Sequence, residues 1–417
     1  MTGDGHHATE IGPTQVGPTQ VGPAAAVALL AVGRGIPNAA MRWIPLFLPI
    51  IARSMDTSLG RCAAAMGVGE LFGMTALVTG RLVHRQGSRR WFAVGLAATA
   101  AGNALGATAP VLAAFAVGYA LLIIGQSCCN VSGQAWIGRN TPPDRRGRYL
   151  GAFETSWALA LLIGTPLAAG AVALTWRGPY LLWTAAAALV VLPILRWLPE
   201  GPSEAGSPWD GSAGRPTEPP VAVGLPRSAW LTVAVSTLLM IASVSIAVSC
   251  GAWLESRFGF GAASLGVVAF VLGSSELVAS LTIARVADRW GATRSLRTGV
   301  AVMLGGAATM AISGHAAVVA VAGLALFIGG FEFSYIATVA IAIRHRPAIV
   351  ARLVGTLSAG TTLARAVFAA VTGWLYSTTG IAGPLTMAAA AGGAVLLVLP
   401  LLARREPTPT DHAGHPA

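Results

Sequence analysis

The sequence contains no lysine, and charged residues of all types make up only 10% of its 417 residues. An ordinary soluble domain carries about 25% charged residues, so this chain has too few to cover the surface of a soluble protein of its size. Disorder is excluded for the opposite reason, because disordered chains are poor in apolar residues. Here 54% of the residues are apolar and the mean hydropathy is +0.68. The composition therefore predicts a chain embedded in a membrane.

Cysteine is also scarce, and the usual catalytic and metal-binding motifs are missing. The four cysteines form no CxxC or Cys/His cluster and fall in or beside apolar segments, where we expect small buried side chains. The sequence has no Walker loop, no His/Glu zinc motif and no GxSxG nucleophile elbow. We therefore expect no enzyme activity, no cofactor, no metal site and no ATP-driven transport by this chain alone.

Long apolar segments fill most of the chain. A spanning helix needs about 20 apolar residues, and in lipid only helices and closed barrels satisfy the backbone. We predict helices, because these segments lack the alternation of barrel strands. The twelve segments lie near residues 24–51, 59–80, 92–109, 111–138, 148–175, 178–198, 229–253, 262–284, 296–313, 316–343, 352–375 and 381–403.

A polar segment divides these helices into two groups of six. Residues 199–228 are rich in Pro, Gly, Ser and acids, which indicates a flexible cytoplasmic linker. We therefore predict an all-α membrane protein of twelve transmembrane helices in two pseudo-symmetric six-helix bundles, residues 24–198 and 229–403. Residues 1–23 and 404–417 are expected to be tails, the first of them disordered.

Arginine is distributed unevenly between the two sides. The loops after the even-numbered segments hold most of the arginines, and the opposite loops hold only Arg53, Arg61, Arg177 and Arg257. Positively charged loops stay in the cytoplasm, so both termini are predicted to be cytoplasmic, in the plasma (inner) membrane of a bacterium. The same distribution accounts for the net charge of +11 without a nucleic-acid partner.

The two halves of the chain resemble each other at a shift of 204 residues, the difference between 284 and 80. At this shift, GRLVHRQG at 80–87 aligns with ARVADRWG at 284–291, and RYLG at 148–151 aligns with RLVG at 352–355. One shift that fits separated places indicates a duplicated six-helix unit, an architecture known among transporters.

With this duplication, the chain resembles the major facilitator superfamily over residues 24–403. The loop between helices 2 and 3 of that family typically reads G-x-x-x-D-R-x-G-R-R. The first half matches this pattern at Gly80, Arg85, Gly87 and Arg89, and Arg90 follows directly. It departs from the pattern at His84 and Ser88. The second half matches it at Asp288, Arg289 and Gly291, and Arg294 is the counterpart of Arg90.

The resemblance implies a gating role for this loop. In the family its Asp holds neighbouring loops and helices together when the cytoplasmic side is closed, so Asp288 and Arg289 are expected to form an inner latch. Gly80, Arg85 and Gly87 are the first-half counterparts, but the first half has His84 where a fixed negative charge is expected.

A second pattern concerns the subfamily. Helix 5 of drug–proton antiporters often reads G-x8-G-x3-G-P, and this chain resembles that pattern loosely at Gly151, Ala160, Gly164 and Pro166. The pattern is closest to drug or metabolite–proton antiporters.

Six charged residues fall inside the apolar segments. Charges inside a membrane are costly and usually mark substrate or ion pathways. They are Arg34, Glu70, Glu154, Glu276, Glu332 and Arg365. None lies in segments 3, 6, 9 or 12, the four that face lipid in the family, which supports the predicted fold.

The balance of these charges favours proton coupling. Four Glu and two Arg cannot all pair one to one, so at least one Glu is expected to carry a proton at neutral pH. Glu332 is the first candidate, because helix 10 acids serve in related proton-coupled exporters and aromatic residues flank it. Glu70 and Glu276 are the other candidates. The alternative is silent ion pairs between helices, such as Arg34 with Glu70 or Arg365 with Glu276 or Glu332.

The same charges allow a substrate-binding role. Arginine forks suit carboxylate or phosphate, so two arginines that faced one cavity would bind an organic anion. The candidate substrate-binding residues are Arg34, Arg365, Glu154, Trp157, Trp136 and Tyr335. Ordinary helix packing explains the aromatic ones equally well.

Together these features predict a secondary active transporter that works by alternating access. We expect proton-coupled export of a small amphipathic organic compound, such as a drug or secondary metabolite. The alternative is an organic anion or metabolite transporter, in either direction, that uses Arg34 and Arg365. A membrane-embedded enzyme or a transporter-like sensor is the rival class. We expect a monomer whose partners are its small-molecule substrate, protons and the lipid bilayer.

Overall fold

A computed structural model describes residues 21–108, 111–199, 225–345 and 347–403. Most of the predicted tails and nearly all of the predicted linker lie outside these residues. So does the side chain of Asp288.

The described residues form long helices that follow one another through short connections. We number them in chain order: α1 Pro23–Leu46, α2 Leu59–Gln86, α3 Ser88–Thr108, α4 Leu112–Asn140, α5 Pro143–Leu174, α6 Gly178–Trp197, α7 Arg227–Phe258, α8 Ala262–Trp290, α9 Ala292–Ile312, α10 Ala317–Ile343, α11 Pro347–Thr379 and α12 Ala382–Ala403. A short helix, Leu48–Ser54, continues α1. This is the predicted all-helical membrane fold.

Eleven of these helices are long and apolar enough to cross a membrane. The other long helix is α3, which has a matching length of 21 residues. Its interior holds Thr99 and Asn103, both fully buried, among many Gly and Ala. These residues lower its hydropathy, while its packing against α4 and α6 places it inside the same bundle.

Several helices extend beyond the apolar segments that predict them. The segment near 59–80 belongs to a helix that ends at Gln86, and the segment near 148–175 belongs to one that begins at Pro143. A helix satisfies its own backbone hydrogen bonds in water as well as in lipid. Its polar end turns therefore stay helical although hydropathy does not detect them.

Matching details confirm that the two halves are copies of one unit. Gly87 between α2 and α3 has φ 88° and ψ 150°, and Gly291 between α8 and α9 has φ 75° and ψ 153°. These two glycines are equivalent at the shift of 204 residues, and a side chain at either would be strained.

Glycines also join α3 to α4 and α9 to α10 in the same way. A Cβ on Gly102 would lie 2.6 Å from the carbonyl oxygen of Gly118, and a Cβ on Gly306 would lie 2.6 Å from that of Gly323. Gly102 and Gly306 are equivalent at the same shift. Small residues of this kind let helix backbones approach closely in membranes.

Two helices of the first half change their winding at mid-length. In α2, Leu71–Thr75 is a 3-10 segment, and in α5, Ala160–Gly164 is a π segment. Pro166 explains the second, since it has no N–H and its ring crowds the carbonyl four residues earlier. Leu71–Thr75 contacts α11, and Ala160–Gly164 contacts α8. The irregular turns therefore lie where the two halves meet.

We call the end that holds Pro23 and Ala403 the terminus end and the opposite end the far end. Within the described residues, the halves pack together at the far end and as far as mid-length, where the irregular turns of α2 and α5 contact α11 and α8. In their far portions, α2 packs on α11, α5 on α8, and α1 on α7. In its terminus portion, Ala76–Gln86, α2 packs on α3 and α4 of its own half. A cleft between the halves therefore opens toward the terminus end.

Candidate functional site: charges at the contact between the halves

The far-end contact is made by backbone against backbone. A Cβ on Gly373 of α11 would lie 2.9 Å from the Cα of Gly60 in α2, and one on Gly273 of α8 would lie 2.5 Å from the nitrogen of Leu162 in α5. By contrast, a Cβ at the terminus portions of α2, α5 or α11 would meet nothing within 4 Å, as shown by Gly80, Gly151 and Gly355.

Arg42 of α1 is central to this contact, although the sequence analysis did not select it. Its Nη2 donates to Oε1 of Glu276 in α8, which is an ion pair between the two halves. Its Nη1 donates to the carbonyl oxygen of Trp157 in α5 at 3.0 Å, and its guanidinium lies 4.5 Å from the centre of the Trp157 ring. Trp157 therefore holds the guanidinium on the first half while Glu276 binds it from the second.

The signal for Arg42 was present in the sequence. Arg34, Asn38 and Arg42 are spaced by four residues along the first apolar segment, so they share one face of α1. A count of charges by depth in every segment would have included Arg42 with the other six.

Glu332 of α10 lies beside this ion pair and has weaker partners. Its Oε1 accepts from the hydroxyl of Ser280 at 3.4 Å, and it interacts electrostatically with Glu276 and Arg42. The rings of Phe331 and Tyr335 on either side of it stack with centres 5.8 Å apart. Within the part of the chain that the structure describes, Glu332 is the one intramembrane carboxylate without an arginine partner.

A second ion pair joins the halves between α2 and α11. Arg365 Nε donates to Oε2 of Glu70 at 2.8 Å, and the hydroxyl of Tyr119 donates to Oε1 of Glu70 at 2.8 Å. Glu70 and Tyr119 are both buried. Both oxygens of this carboxylate are therefore bonded, whereas Oε2 of Glu276 has no partner.

The third ion pair lies within the first half. Arg34 Nη2 donates to Oε2 of Glu154 at 2.8 Å, and its Nη1 donates to the carbonyl oxygen of Phe153 and the hydroxyl of Ser156, both at 3.1 Å. The Arg34 side chain is 5% exposed and that of Glu154 is 43% exposed. Gln134 donates to the other oxygen of Glu154 at 3.0 Å. The carboxylate therefore reaches the open cleft while the guanidinium stays buried.

These pairs differ from those named above as the alternative to proton coupling. Arg34 pairs with Glu154 and not with Glu70, and Arg365 pairs with Glu70 and not with Glu276 or Glu332. The charge count is corrected, because Arg42 makes three arginines against four glutamates. Each of the three arginines binds one Glu, so the excess of carboxylates falls from two in the sequence count to one, which is Glu332.

The aromatic candidates divide into two groups. Trp157 and Tyr335 are half-buried at the contact between the halves, next to Arg42 and Glu332. Trp136 is 2% exposed, and its indole donates to the carbonyl oxygen of Pro199 at 2.9 Å. Trp136 therefore packs within the first half, at the terminus end.

The candidate gating residues lie at the terminus end. Arg85 and Arg289 are exposed, and Gly87 ends α2. The open surroundings of Gly80 match a separated terminus end. The latch predicted for Asp288 lies outside the described side chains.

The chain matches a known protein family. The model of the Major Facilitator Superfamily matches residues 24–348. No curated protein sequence matches the chain.

Solved structures share its fold. The human organic anion transporter MFSD10 (TETRAN) is 19% identical with a TM-score of 0.64, over 92% of this chain and 100% of that one. A bacterial homolog of the human lysosomal transporter Spinster, inward-facing and unoccupied, is 13% identical with a TM-score of 0.67, over 92% and 96%. A D-xylose–proton symporter is 14% identical with a TM-score of 0.72, over 90% and 96%. At these identities the likeness concerns the fold and not the substrate.

Proposed function

The chain belongs to the major facilitator superfamily, and we propose that it is a secondary active transporter that exports a small amphipathic organic compound in exchange for protons. The arginine-rich loops lie at the terminus end, so we assign that end to the cytoplasm by the positive-inside rule. The structure then corresponds to the state that is open to the cytoplasm and closed at the far end.

One observation carries the proton coupling. Glu332 is the carboxylate left over when Arg34, Arg42 and Arg365 have each bound one Glu. A carboxylate inside a membrane without a cation partner is stabilised by taking up a proton. Glu332 and Glu276 interact electrostatically, so a proton on either one weakens the repulsion between them.

The ion pair between Arg42 and Glu276 links this proton to the conformational change. Opening the far end requires α8 to leave α1 and α5, which breaks this pair. Leaving an unpaired charge in a buried site is costly. A proton on Glu276 removes the charge that Arg42 binds, so the far end opens at a smaller cost once the proton is bound.

The ion pair between Glu70 and Arg365 has a different role in this proposal. Tyr119 and Arg365 together occupy both oxygens of Glu70, so neither oxygen is free to bind another group. We assign it to holding the far end closed while Glu276 and Glu332 exchange the proton.

The charge pairing gives less support to the organic anion alternative. Arg34 and Arg365 would have to leave Glu154 and Glu70 before either could bind an anionic substrate. In the ion pair of Arg34 with Glu154, the exposed group is the carboxylate and not the guanidinium. A substrate that met this pair would meet carboxylate oxygens first, which favours a neutral or cationic amphipathic substrate over an anion.

Transport by purified protein in liposomes tests this function. With ethidium as the probe and an imposed pH gradient, acid inside, wild-type liposomes should accumulate ethidium while protons leave, and an entrapped pH dye should report a rise of the internal pH. Glu332→Gln should lose gradient-driven transport but keep exchange of labelled for unlabelled ethidium, because exchange needs no net proton movement. The control is Glu218→Gln, which lies in the polar segment 199–228 and should transport normally.

Two results would overturn parts of the proposal. Full gradient-driven transport by Glu332→Gln would remove Glu332 from the mechanism. Transport of the anion p-aminohippurate but not of ethidium, lost in Arg365→Gln, would establish the organic anion alternative instead.

A further inference from the structure

A row of buried polar atoms without partners runs along one face of α1. Asn38 is completely buried, and neither the nitrogen nor the oxygen of its side-chain amide has a hydrogen-bond partner. Asn38 lies one helical turn from Arg34 and one from Arg42. Arg34 Nε and Oε2 of Glu276, the residue that Arg42 binds, also lack partners.

These four atoms form a sequence of donors and acceptors. Arg34 Nε donates, the Asn38 amide both donates and accepts, and Oε2 of Glu276 accepts. The face of α1 from Arg34 to Arg42 is about 12 Å long at 1.5 Å per residue. Buried polar atoms are nearly always hydrogen-bonded to protein or to ordered water, and an unpaired one costs about 1–3 kcal/mol. One unpaired atom would be an ordinary exception, but three on one face of α1 and a fourth on the residue that Arg42 binds indicate a common partner.

We propose that ordered water bound by Asn38 joins these atoms into a proton path from the cleft to Glu276. The entrance is Glu154, whose partly exposed carboxylate is bonded to Arg34. A proton that enters from cleft water passes along the hydrogen-bonded water beside Asn38 to the free oxygen of Glu276. The water of the path takes up one proton from the cleft and gives one proton to Glu276, so its own number of protons is unchanged and no other atom is transferred.

The charged groups around the acceptor are consistent with this direction. Arg42 of α1 holds Oε1 of Glu276, and Glu332 of α10 interacts with it electrostatically. The proton therefore arrives at the oxygen that Arg42 leaves free. Asn38 is a positioning residue in this path, because it holds water and carries no proton of its own. This inference rests on the proposed function, since it needs Glu276 to exchange a proton.

The test is the rate of Glu276 protonation after a rapid pH drop, followed by infrared spectroscopy of the carboxyl band in purified protein without substrate. The band is assigned to Glu276 by its loss in Glu276→Gln. Asn38→Leu keeps the branched shape and the number of heavy atoms of the side chain but removes both polar atoms. It should slow protonation by about tenfold, the effect of losing one hydrogen bond of about 1.4 kcal/mol, with the final amplitude unchanged.

Asn103 of α3 supplies a matched control. It is also completely buried in the first half and has one unpaired oxygen, but its amide nitrogen donates to the carbonyl oxygen of Thr99 at 2.9 Å. Asn103→Leu should leave the rate unchanged. Asn38→Ser, which keeps a donor and an acceptor, should retain most of the wild-type rate. If Asn38→Leu does not fold, Asn38→Val, which also removes both polar atoms but is smaller, takes its place and should show the same slowing.

The outcomes separate this inference from the proposed function. A wild-type rate in Asn38→Leu, with the band present and lost in Glu276→Gln, would reject the path and leave Glu276 as the proton acceptor. Equal slowing by Asn38→Leu and Asn103→Leu would assign the effect to general destabilisation and would also reject the path. Absence of any band lost in Glu276→Gln would instead reject the proton exchange on which the inference rests.

Discussion

Replacement of Gly273 by alanine should shift the protein away from the closed far end. Gly273 of α8 faces the π segment of α5, and an added Cβ would lie 2.5 Å from the nitrogen and 2.6 Å from the Cα of Leu162. Both of these are backbone atoms, so no side chain can rotate to make room. Ordinary contacts begin near 3.4 Å, so α5 and α8 must separate by about 1 Å to restore normal packing.

The size of the shift follows from the cost of overpacking. Inserting one methyl group into a tightly packed contact costs about 1–3 kcal/mol. Here the cost applies only while α5 and α8 are in contact, which is the state closed at the far end. The equilibrium between the two states should therefore move toward the open far end by about 5–150-fold.

Distance measurement between spin labels across the far end reads this equilibrium directly. Labels at Arg177, in the connection between α5 and α6, and at Ser264, at the start of α8, occupy exposed positions in opposite halves. All four native cysteines are buried, so the label should react with the introduced thiols. In Gly273→Ala the long-distance population should rise in the absence of substrate.

Gly355→Ala is the matched control for this experiment. It adds the same methyl group to a helix and gains the same helix propensity, but a Cβ at Gly355 would meet nothing within 4 Å. Its distance distribution should equal that of the wild type. If Gly273→Ala folds and also keeps the wild-type distribution, the close approach of α5 and α8 does not limit the far-end contact, and the reasoning fails.

Two further predictions concern the ion pairs between the halves. Tyr119→Phe should lower the free energy of unfolding by about 1.5–3 kcal/mol, the value of a hydrogen bond to a charged group, because it leaves Oε1 of buried Glu70 without a donor. Thermal unfolding should show a lower Tm, and an unchanged Tm would contradict this contact. Arg42→Met should destabilise the protein by about 3–5 kcal/mol by leaving Glu276 unpaired, and the double variant with Glu276→Met should recover much of that loss. If the stability losses of the two single variants simply add up in the double variant, measured by the same unfolding assay, Arg42 and Glu276 do not form a direct pair.

Hydropathy and the internal repeat were sufficient to predict the fold. Each apolar segment is a helix because lipid leaves the backbone no other partner, and the shift of 204 residues that aligns the sequences also aligns Gly87 with Gly291 in the structure. The ends of the helices were predicted less accurately. At Gln86 and Pro143 the helix continues into water, where apolar character no longer marks it.

The partners of the buried charges could not be predicted in the same way. Counting residues along a helix gives the depth of Arg34 or Arg365, but their partners depend on how each helix is rotated about its axis and which neighbour it faces. The alternative reading of the sequence paired Arg34 with Glu70 on the adjacent helix, whereas in the structure Arg34 binds Glu154 of α5. The connection from Arg42 to Glu276 spans the two halves, and nothing in either local sequence encodes it.

The glycine contacts within each half have a mechanical consequence. Because Gly102 meets Gly118, and Gly306 meets Gly323, through backbone atoms, these close contacts do not depend on the rotamer of a side chain at either glycine. Each helix pair should therefore move as one rigid unit. α4 has 29 residues, and a helix of that length is about 44 Å long. If a bundle of such helices tilts so that α5 and α8 separate by about 1 Å near mid-length, the ends of the helices move by more than 1 Å. The stiffness of these pairs thus converts a small displacement beside Gly273 into a larger one at the mouth of the cleft.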